Sequence, residues 1–410
     1  MAYKIYPPKS LHTTVTLPGS KSISNRALIL NALSLSNYEI ENLSVCEDTR
    51  VIKDAFESNT NEFDVRGAGT AMRFLSAFLA CVEGEWIVKG SKRMHERPIH
   101  PLVDTLIALG AEIKYLENKG YPPLKIKGKK LQGGEVHLTA NVSSQFISAL
   151  IMIAPTMKFG LTLHLEEEII SRPYIHLTQK MMKDYGVNIK WTDNTIKVEP
   201  QPYIPLRYSV ESDWSAASYW YAFVAIMPEA EVRLKGLRKE SMQGDANIIN
   251  LFSDLGVSTT FDDEGVLLTK KKVTARKFFH NFINEPDLAQ TFTVTCCLLN
   301  IPFFFSGLQT LKIKETDRIY ALITELEKLG YILRETENGI LEWDGERCLT
   351  DETIVIETYD DHRMAMAFSP ASIVFKNMYI NYPEVVTKSY PTFWDDLKQG
   401  GFKLNETDNF

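Results

Sequence analysis

Apolar residues recur at helical spacing in five phrases that each end at a glycine and resume as an alternating strand: PLVDTLIALG-AEIKYL, LTQKMMKDYG-VNIKWT, NIINLFSDLG-VSTTFD, LITELEKLG-YILRET and FWDDLKQGG-FKLNE. The glycines at the joins (Gly110, Gly186, Gly256, Gly330 and Gly401) suit the left-handed backbone that caps a helix C-terminus. They are spaced 76, 70, 74 and 71 residues apart. That period is longer than the roughly 20–50 residues of a solenoid repeat and fits a supersecondary module with two helices and several strands. A chain of 410 residues holds about six such modules, and a length of roughly 150 residues per domain makes two domains of three modules the natural grouping. VIKDAFESN-TNEFDV is the candidate for a degenerate first copy, with a turn near Ser58-Asn59 that lacks the glycine.

Between these phrases lie polar or glycine-containing turns that run directly into apolar helices. Pro18-Gly19-Ser20-Lys21-Ser22-Ile23-Ser24-Asn25-Arg26 leads into ALILNALS, and Gly67-Ala68-Gly69-Thr70 into AMRFLSAFLA. Asn141-Val142-Ser143-Ser144-Gln145 leads into FISALIMIA, and Asp360-Asp361-His362-Arg363 into MAMAF. A helix start offers unpaired N–H groups and the positive end of the macrodipole, so several converging starts can hold a multiply charged anion. Taken singly, Ser143, Ser144 or Thr70 reads as an ordinary N-cap. The Gly19-Ser20-Lys21-Ser22 run lacks the glycine spacing of a Walker A loop. In Lys314-Glu315-Thr316-Asp317-Arg318 the two cations stand four apart, which predicts a shared helical face with Glu315 beside it. Ser171-Arg172-Pro173-Tyr174 is predicted to open a helix through Pro173.

Composition narrows the class of partner. Hydrophobic residues make up 44% and charged residues 24%, as in a globular protein, and the net charge of −7 argues against a nucleic-acid backbone as partner. The start, MAYKIYPP, has no apolar signal-type run, and the longest apolar stretch, 146–155, is too short to span a bilayer. Together with five cysteines in no paired or zinc spacing, this predicts a cytoplasmic protein with no membrane partner and buried free thiols at Cys296-Cys297. The eight histidines show no H-x-x-x-H or H-E-x-x-H pattern, and no metal site is expected.

The segments LPGSKSISNRALIL, AGTAMRFL, ERPIHPLVDTL, NVSSQFISALIM, SRPYI, SDWSAASYW, EPDLAQT, KETDRI, DHRMAMAF and VTKSYPTFW resemble, in order, the motifs of the EPSP synthase family of enolpyruvyl transferases (3-phosphoshikimate 1-carboxyvinyltransferases), over residues 17–394. The resemblance implies an α/β (α+β) fold of two domains. Each is built from three βαβαββ-type units around a pseudo-threefold axis, and the active site lies in the interdomain cleft. It assigns residues 20–211 to one domain and residues 1–19 with 212–410 to the other. The implied reaction transfers the enolpyruvyl group of phosphoenolpyruvate to the 5-hydroxyl of shikimate 3-phosphate, on the shikimate pathway to chorismate and the aromatic amino acids. It proceeds by addition and elimination through a tetrahedral intermediate, requires no cofactor, and is expected of a monomer.

By the same resemblance, shikimate 3-phosphate falls to Lys21, Ser22, Arg26, Ser143, Ser144, Gln145, Ser171, Asp287 and Lys314. Phosphoenolpyruvate falls to Lys21, Gly69, Arg97, Gln145, Arg318, Arg363 and Lys388, five of them cations, a density expected around an anion. Asp287 is assigned to the acceptor hydroxyl and Glu315 to the methylene carbon, with Lys21 bridging both steps and competing with Glu315 as the proton donor. Two positions depart from the family's usual pattern: Gly67 and Thr310 stand where it usually has Asn. A same-fold rival, the UDP-N-acetylglucosamine enolpyruvyl transferases, predicts Lys-Asn at the first lysine and a loop cysteine. This chain has Lys21-Ser22 and no cysteine between Cys81 and Cys296. A non-catalytic phosphosugar binder on the same scaffold predicts loss of Asp287, Glu315 or Lys21, and all three are present.

Overall fold

The structure is a computed structural model that describes residues 1–139 and 143–407. It divides into two compact units, residues 19–210 and residues 1–18 with 211–410. In both, the repeat follows one plan. In the first unit the strands Glu62–Asp64 and Gly84–Lys89 run parallel on either side of the helix Gly69–Cys81. After the helix His100–Ala108, the hairpin Glu112–Tyr115 and Leu124–Gly128 adds two antiparallel strands, giving a βαβαββ order. Gly134–Thr139, Leu161–Glu166, Ile189–Thr192 and Thr195–Val198 repeat that sheet around the helices Ser144–Ile153 and Arg172–Asp184.

The second unit holds three such sheets, two of which take a strand from the chain's start. Leu11–Thr16 pairs in parallel with Ala230–Lys235, and Ala2–Tyr6 lies between Met378–Asn381 and Lys403–Thr407, antiparallel to both. The third sheet is contiguous: Phe278–Asn281, Phe303–Ser306, Arg334–Glu337 and Ile340–Trp343.

All five joining glycines adopt positive φ: Gly110 at 104°, Gly186 at 84°, Gly256 at 93°, Gly330 at 83° and Gly401 at 91°. This is the backbone that only glycine enters without a Cβ penalty, and it is why the helix-to-strand hook falls where the pattern placed it. The glycine-free copy differs. The helix Glu47–Glu57 ends at Ser58 in extended backbone (φ −84°, ψ 151°), so the chain does not hook back. Its following strand, Glu62–Asp64, instead opens the next module's sheet. Among the described residues, the region ahead of it contributes the helices Lys21–Leu33 and Glu47–Glu57 and an isolated bridge between Glu41 and Ser209, not a four-stranded sheet.

The helices that follow the first strand of each module are apolar on nearly every side. Trp214–Ile226, Ala289–Leu298 and His362–Phe368 pack on one another in the second unit. Gly69–Cys81 and Ser144–Ile153 do so in the first, joined by Lys21–Leu33, which turns Ser24, Asn25 and Arg26 inward beside its apolar residues. A helix hydrophobic all round must be buried on all sides, so each unit closes around three central helices. Cys296 and Cys297 lie inside this core as free thiols. Among the described residues, no helix is long and apolar enough to cross a membrane.

Candidate active site

In the unit of residues 19–210, polar groups gather at the starts of the central helices. Lys21 opens the helix Lys21–Leu33, and its ammonium faces the buried Asp48 carboxylate at 3.3 Å. Arg26 turns inward and is 2% exposed. Its Nε donates to Thr178 Oγ1 at 2.6 Å, and its Nη2 to Ser148 Oγ at 3.1 Å and the Tyr174 carbonyl at 3.3 Å. Nη1 donates to the Ser22 carbonyl at 2.8 Å, and the guanidinium stands 5.3 Å from the Phe74 ring. These partners are neutral. Burial pushes the Arg26 pKa down to about 10, which still leaves it cationic at neutral pH. Four of its five N–H donors are used within the protein. One N–H of the Arg26 guanidinium is left over from these bonds.

Gly69 begins the helix Gly69–Cys81. A Cβ there would stand 2.6 Å from Arg73 Nη1 and 2.8 Å from both Nη atoms of Arg97, so the bare glycine lets two buried guanidinium groups close over the helix start. Arg73 Nη1 donates to Gln145 Oε1 at 3.1 Å, and Gln145 Nε2 donates to Thr70 Oγ1 at 3.1 Å. Ser143 caps the helix Ser144–Ile153, its hydroxyl accepting the Gln145 N–H at 3.3 Å. Ser144 is buried beside it, while Asn141 and Val142 of the same motif lie outside the described residues. Ser171 stands at the N-cap position of the helix Arg172–Asp184 in left-handed backbone (φ 53°), without a side-chain capping bond, and Pro173 lies in the first turn. Such backbone costs a non-glycine residue about 1–3 kcal/mol and collects at ligand-binding loops.

The second unit interleaves charges of both signs. Arg318 is 1% exposed and begins the helix Arg318–Lys328, capped by Asp317. Lys314 lies before it, in extended backbone after the 3₁₀ turn Gln309–Ile313, so the two cations share no helical face. They meet instead at Asp287, whose Oδ1 lies 3.4 Å from Arg318 Nη1 and 3.8 Å from Lys314 Nζ. Asp287 Oδ2 receives Arg363 Nη2 at 2.8 Å. Glu315 lies between Arg318 Nη2 at 3.0 Å and Lys388 Nζ at 3.8 Å. Asp361, fully buried, takes Arg318 Nε at 2.6 Å and Nη2 at 3.3 Å and caps the helix His362–Phe368 through the Arg363 N–H. Burial opposes the charge on Arg318, but Asp361, Glu315 and Asp287 outweigh it and raise its pKa. The resemblance implied five cations, Lys21, Arg97, Arg318, Arg363 and Lys388, around an anion; here Lys21, Arg318, Arg363 and Lys388 each face a carboxylate, as does Lys314. A like-charge cluster is costly to bury uncompensated, so the protein supplies its own counter-charges.

Sequence reasoning missed Arg73, Asp361 and Asp245. Arg73 stands four residues after Gly69 on one helix, a spacing that could have revealed it. Asp361 precedes the helix of Arg363, but its grip on Arg318 spans 43 residues. Asp245 has no local signal. It is buried, accepts the Ser215 hydroxyl, and its Oδ1 has no hydrogen-bond partner among the described residues. Burial, then the charge of Asp287, push its pKa up to about 7.

One unit thus offers amides, hydroxyls and guanidinium groups at helix starts. The other offers two partly exposed carboxylates braced by cations, the arrangement that binds an anion and moves a proton beside it. The family model for EPSP synthase (3-phosphoshikimate 1-carboxyvinyltransferase) matches residues 5–58 and 51–397. A 3-phosphoshikimate 1-carboxyvinyltransferase of Bacteroides fragilis is 52% identical over 405 residues, covering 98% of this chain and 99% of that protein. One from Colwellia psychrerythraea is 36% identical over 422 residues, covering 96% and 98%. Among solved structures, an EPSP synthase from Acinetobacter baumannii shares the fold at a TM-score of 0.75 and 21% identity, over 99% of this chain and 100% of that one.

Proposed function

Since this chain belongs to the EPSP synthase family, we propose that its two sets of polar residues divide one reaction between them. The reaction is the transfer of the enolpyruvyl group of phosphoenolpyruvate to the 5-hydroxyl of shikimate 3-phosphate, with release of phosphate, a step of the shikimate pathway. The residues at the helix starts of the 19–210 unit hold anionic groups. Lys21, Ser22, Arg26, Ser143, Ser144, Gln145 and Ser171, with Asp287 and Lys314 of the other unit, take shikimate 3-phosphate. Lys21, Gly69, Arg97 and Gln145, with Arg318, Arg363 and Lys388, take phosphoenolpyruvate. Asp287 accepts the proton of the 5-hydroxyl as its oxygen attacks the central carbon of the enol. A proton then reaches the methylene carbon from Glu315 or Lys21, forming the tetrahedral adduct. Loss of that methyl proton and cleavage of the carbon–oxygen bond to phosphate restore the double bond.

The observation that supports this reading best is the run Arg363–Asp287–Arg318–Glu315–Lys388, in which two carboxylates flank one buried guanidinium. Fixing both acids on one immobile cation sets their separation before substrate arrives, which is the positioning that general acid–base catalysis needs. The glycine at 69 supports the binding half, because it clears the approach to Arg73 and Arg97.

The test is phosphate release from phosphoenolpyruvate with shikimate 3-phosphate, with UDP-N-acetylglucosamine in its place, and with no acceptor. Release is expected only with shikimate 3-phosphate, and Glu315→Ala is expected to abolish most of it. Release with UDP-N-acetylglucosamine alone would overturn the acceptor, and full activity in Glu315→Ala would overturn the assignment of that residue.

A further inference from the structure

On the solvent face of the sheet formed by Gly134–Thr139 and Leu161–Glu166, two histidines that stand 27 positions apart in sequence lie side by side. His137 and His164 are register partners on parallel strands, and their rings stack with centroids 4.8 Å apart and planes 27° apart. Two carboxylates flank them. Glu135 Oε1 lies 2.7 Å from His164 Nε2, and Glu166 Oε1 lies 3.1 Å from His137 Nδ1. One donor atom from each of Glu135, His137 and His164 falls within 4.8 Å of the other two. None of these residues takes part in the reaction above.

We propose that Glu135, His137 and His164 form a binding site for a first-row divalent ion of the zinc type. The hydrogen bonds select the ligand atoms. His137 Nδ1 is engaged by Glu166, and His164 Nδ1 by Thr195 Oγ1 at 3.1 Å. Each ring is thus oriented through Nδ1, as an outer carboxylate or hydroxyl orients a metal-bound imidazole, and turns Nε2 to the site, where that of His164 meets the third ligand, Glu135. Zinc takes imidazole nitrogen and carboxylate oxygen at about 2.0–2.2 Å, so the three side chains close on the ion by rotation, since the strands are already in register. The ion replaces the proton between His164 Nε2 and Glu135, and solvent water fills the remaining position. Two imidazoles exclude magnesium and calcium, which prefer all-oxygen ligands. Glu135 and Glu166 lend the pair the negative charge that a dication requires.

The bound ion ties together two strands that end four and five residues before Ser143 and Ser171. Its effect is read as resistance to unfolding, since a ligand that binds only the folded chain raises the melting temperature.

The experiment titrates zinc chloride into the chelator-stripped full chain by calorimetry, with magnesium chloride as comparison and a melting curve for each. Saturable binding of one zinc ion per chain, a higher melting temperature with zinc and no response to magnesium are expected. The double variant His137→Ala/His164→Ala is expected to lose this binding while its phosphate release in chelator stays at the wild-type rate. Thr195→Val is expected to weaken zinc by about 10-fold, the low end for an outer-shell partner, while His12→Ala, in the other unit, leaves it unchanged. No saturable zinc binding by the wild-type chain would overturn the proposal. Binding retained in the folded, active double variant would do the same, as would equal loss in His12→Ala.

Discussion

The two units surround most of their buried cations with different company. In residues 19–210, Lys21 faces Asp48, but Arg26 is buried against two hydroxyls, two carbonyls and a ring, so its guanidinium is held in place by neutral groups. In the other unit every cation of the set faces Asp287, Glu315 or Asp361. The first arrangement suits a surface that only has to hold charge, because neutral partners leave the field of the guanidinium uncancelled. The second suits groups that must change protonation during turnover, because when either acid gains or loses a proton Arg318 stays held by Asp361 and by the other acid. On the proposed reading, what separates the buried Arg26 from the cations around Asp287 and Glu315 is the company each keeps, not how many cations each unit carries.

The largest effect should come from the acids. Asp287→Asn or Glu315→Gln is expected to lower kcat for phosphate release by about 10²–10⁴-fold, the usual worth of a positioned acid or base. Wild-type kcat in either variant would collapse the contrast between the units. Next comes the brace. Asp361→Ala removes the fully buried partner of the Arg318 guanidinium, leaving it Glu315 and Asp287, and removes a helix cap; breaking a buried pair costs up to about 3–5 kcal/mol. Chemical denaturation should place the loss in the unit of Asp361, with the 19–210 unit melting as before.

A smaller effect is expected at Gly69. The added methyl of Gly69→Ala meets the mobile ends of Arg73 and Arg97, so both guanidinium groups shift. KM for phosphoenolpyruvate should rise several-fold with kcat little changed, as initial rates across a substrate series will show. The smallest is a change of slope. Asp245 binds a proton in the folded chain up to about pH 7, whereas an unfolded aspartate releases it near pH 4. The folded state thus holds the extra proton in that window, so this group's contribution to stability falls as pH rises through it. Melting temperatures at pH 5 and pH 8 should therefore show Asp245→Asn gaining on the wild type at the higher pH. A constant difference would remove Asp245 from the charge network.

Much of this was legible in the sequence because it is local. A helix that must hook back into a strand needs a left-handed residue, and Gly110, Gly186, Gly256, Gly330 and Gly401 mark those hooks one by one. Where the glycine was missing, at Ser58-Asn59, the expected hook was wrong. Helix starts announced Lys21, Gly69, Ser143 and Arg363 in the same way. What stayed hidden depends on tertiary pairing. Lys314 and Arg318 were expected on one helix, yet a break in the backbone separates them and Asp287 unites them. The grip of Asp361 on Arg318 and the burial of Asp245 join distant segments, and no spacing rule encodes either.

The division between holding charge and moving protons is tested most directly by one set of initial rates. Phosphate release is measured for Gly69→Ala and Glu315→Gln side by side, each over a full range of phosphoenolpyruvate at saturating shikimate 3-phosphate. The account predicts that Gly69→Ala raises KM and leaves kcat near wild type, while Glu315→Gln lowers kcat by about 10²-fold or more and leaves KM near wild type. The reverse pattern, or the same pattern in both variants, would contradict it.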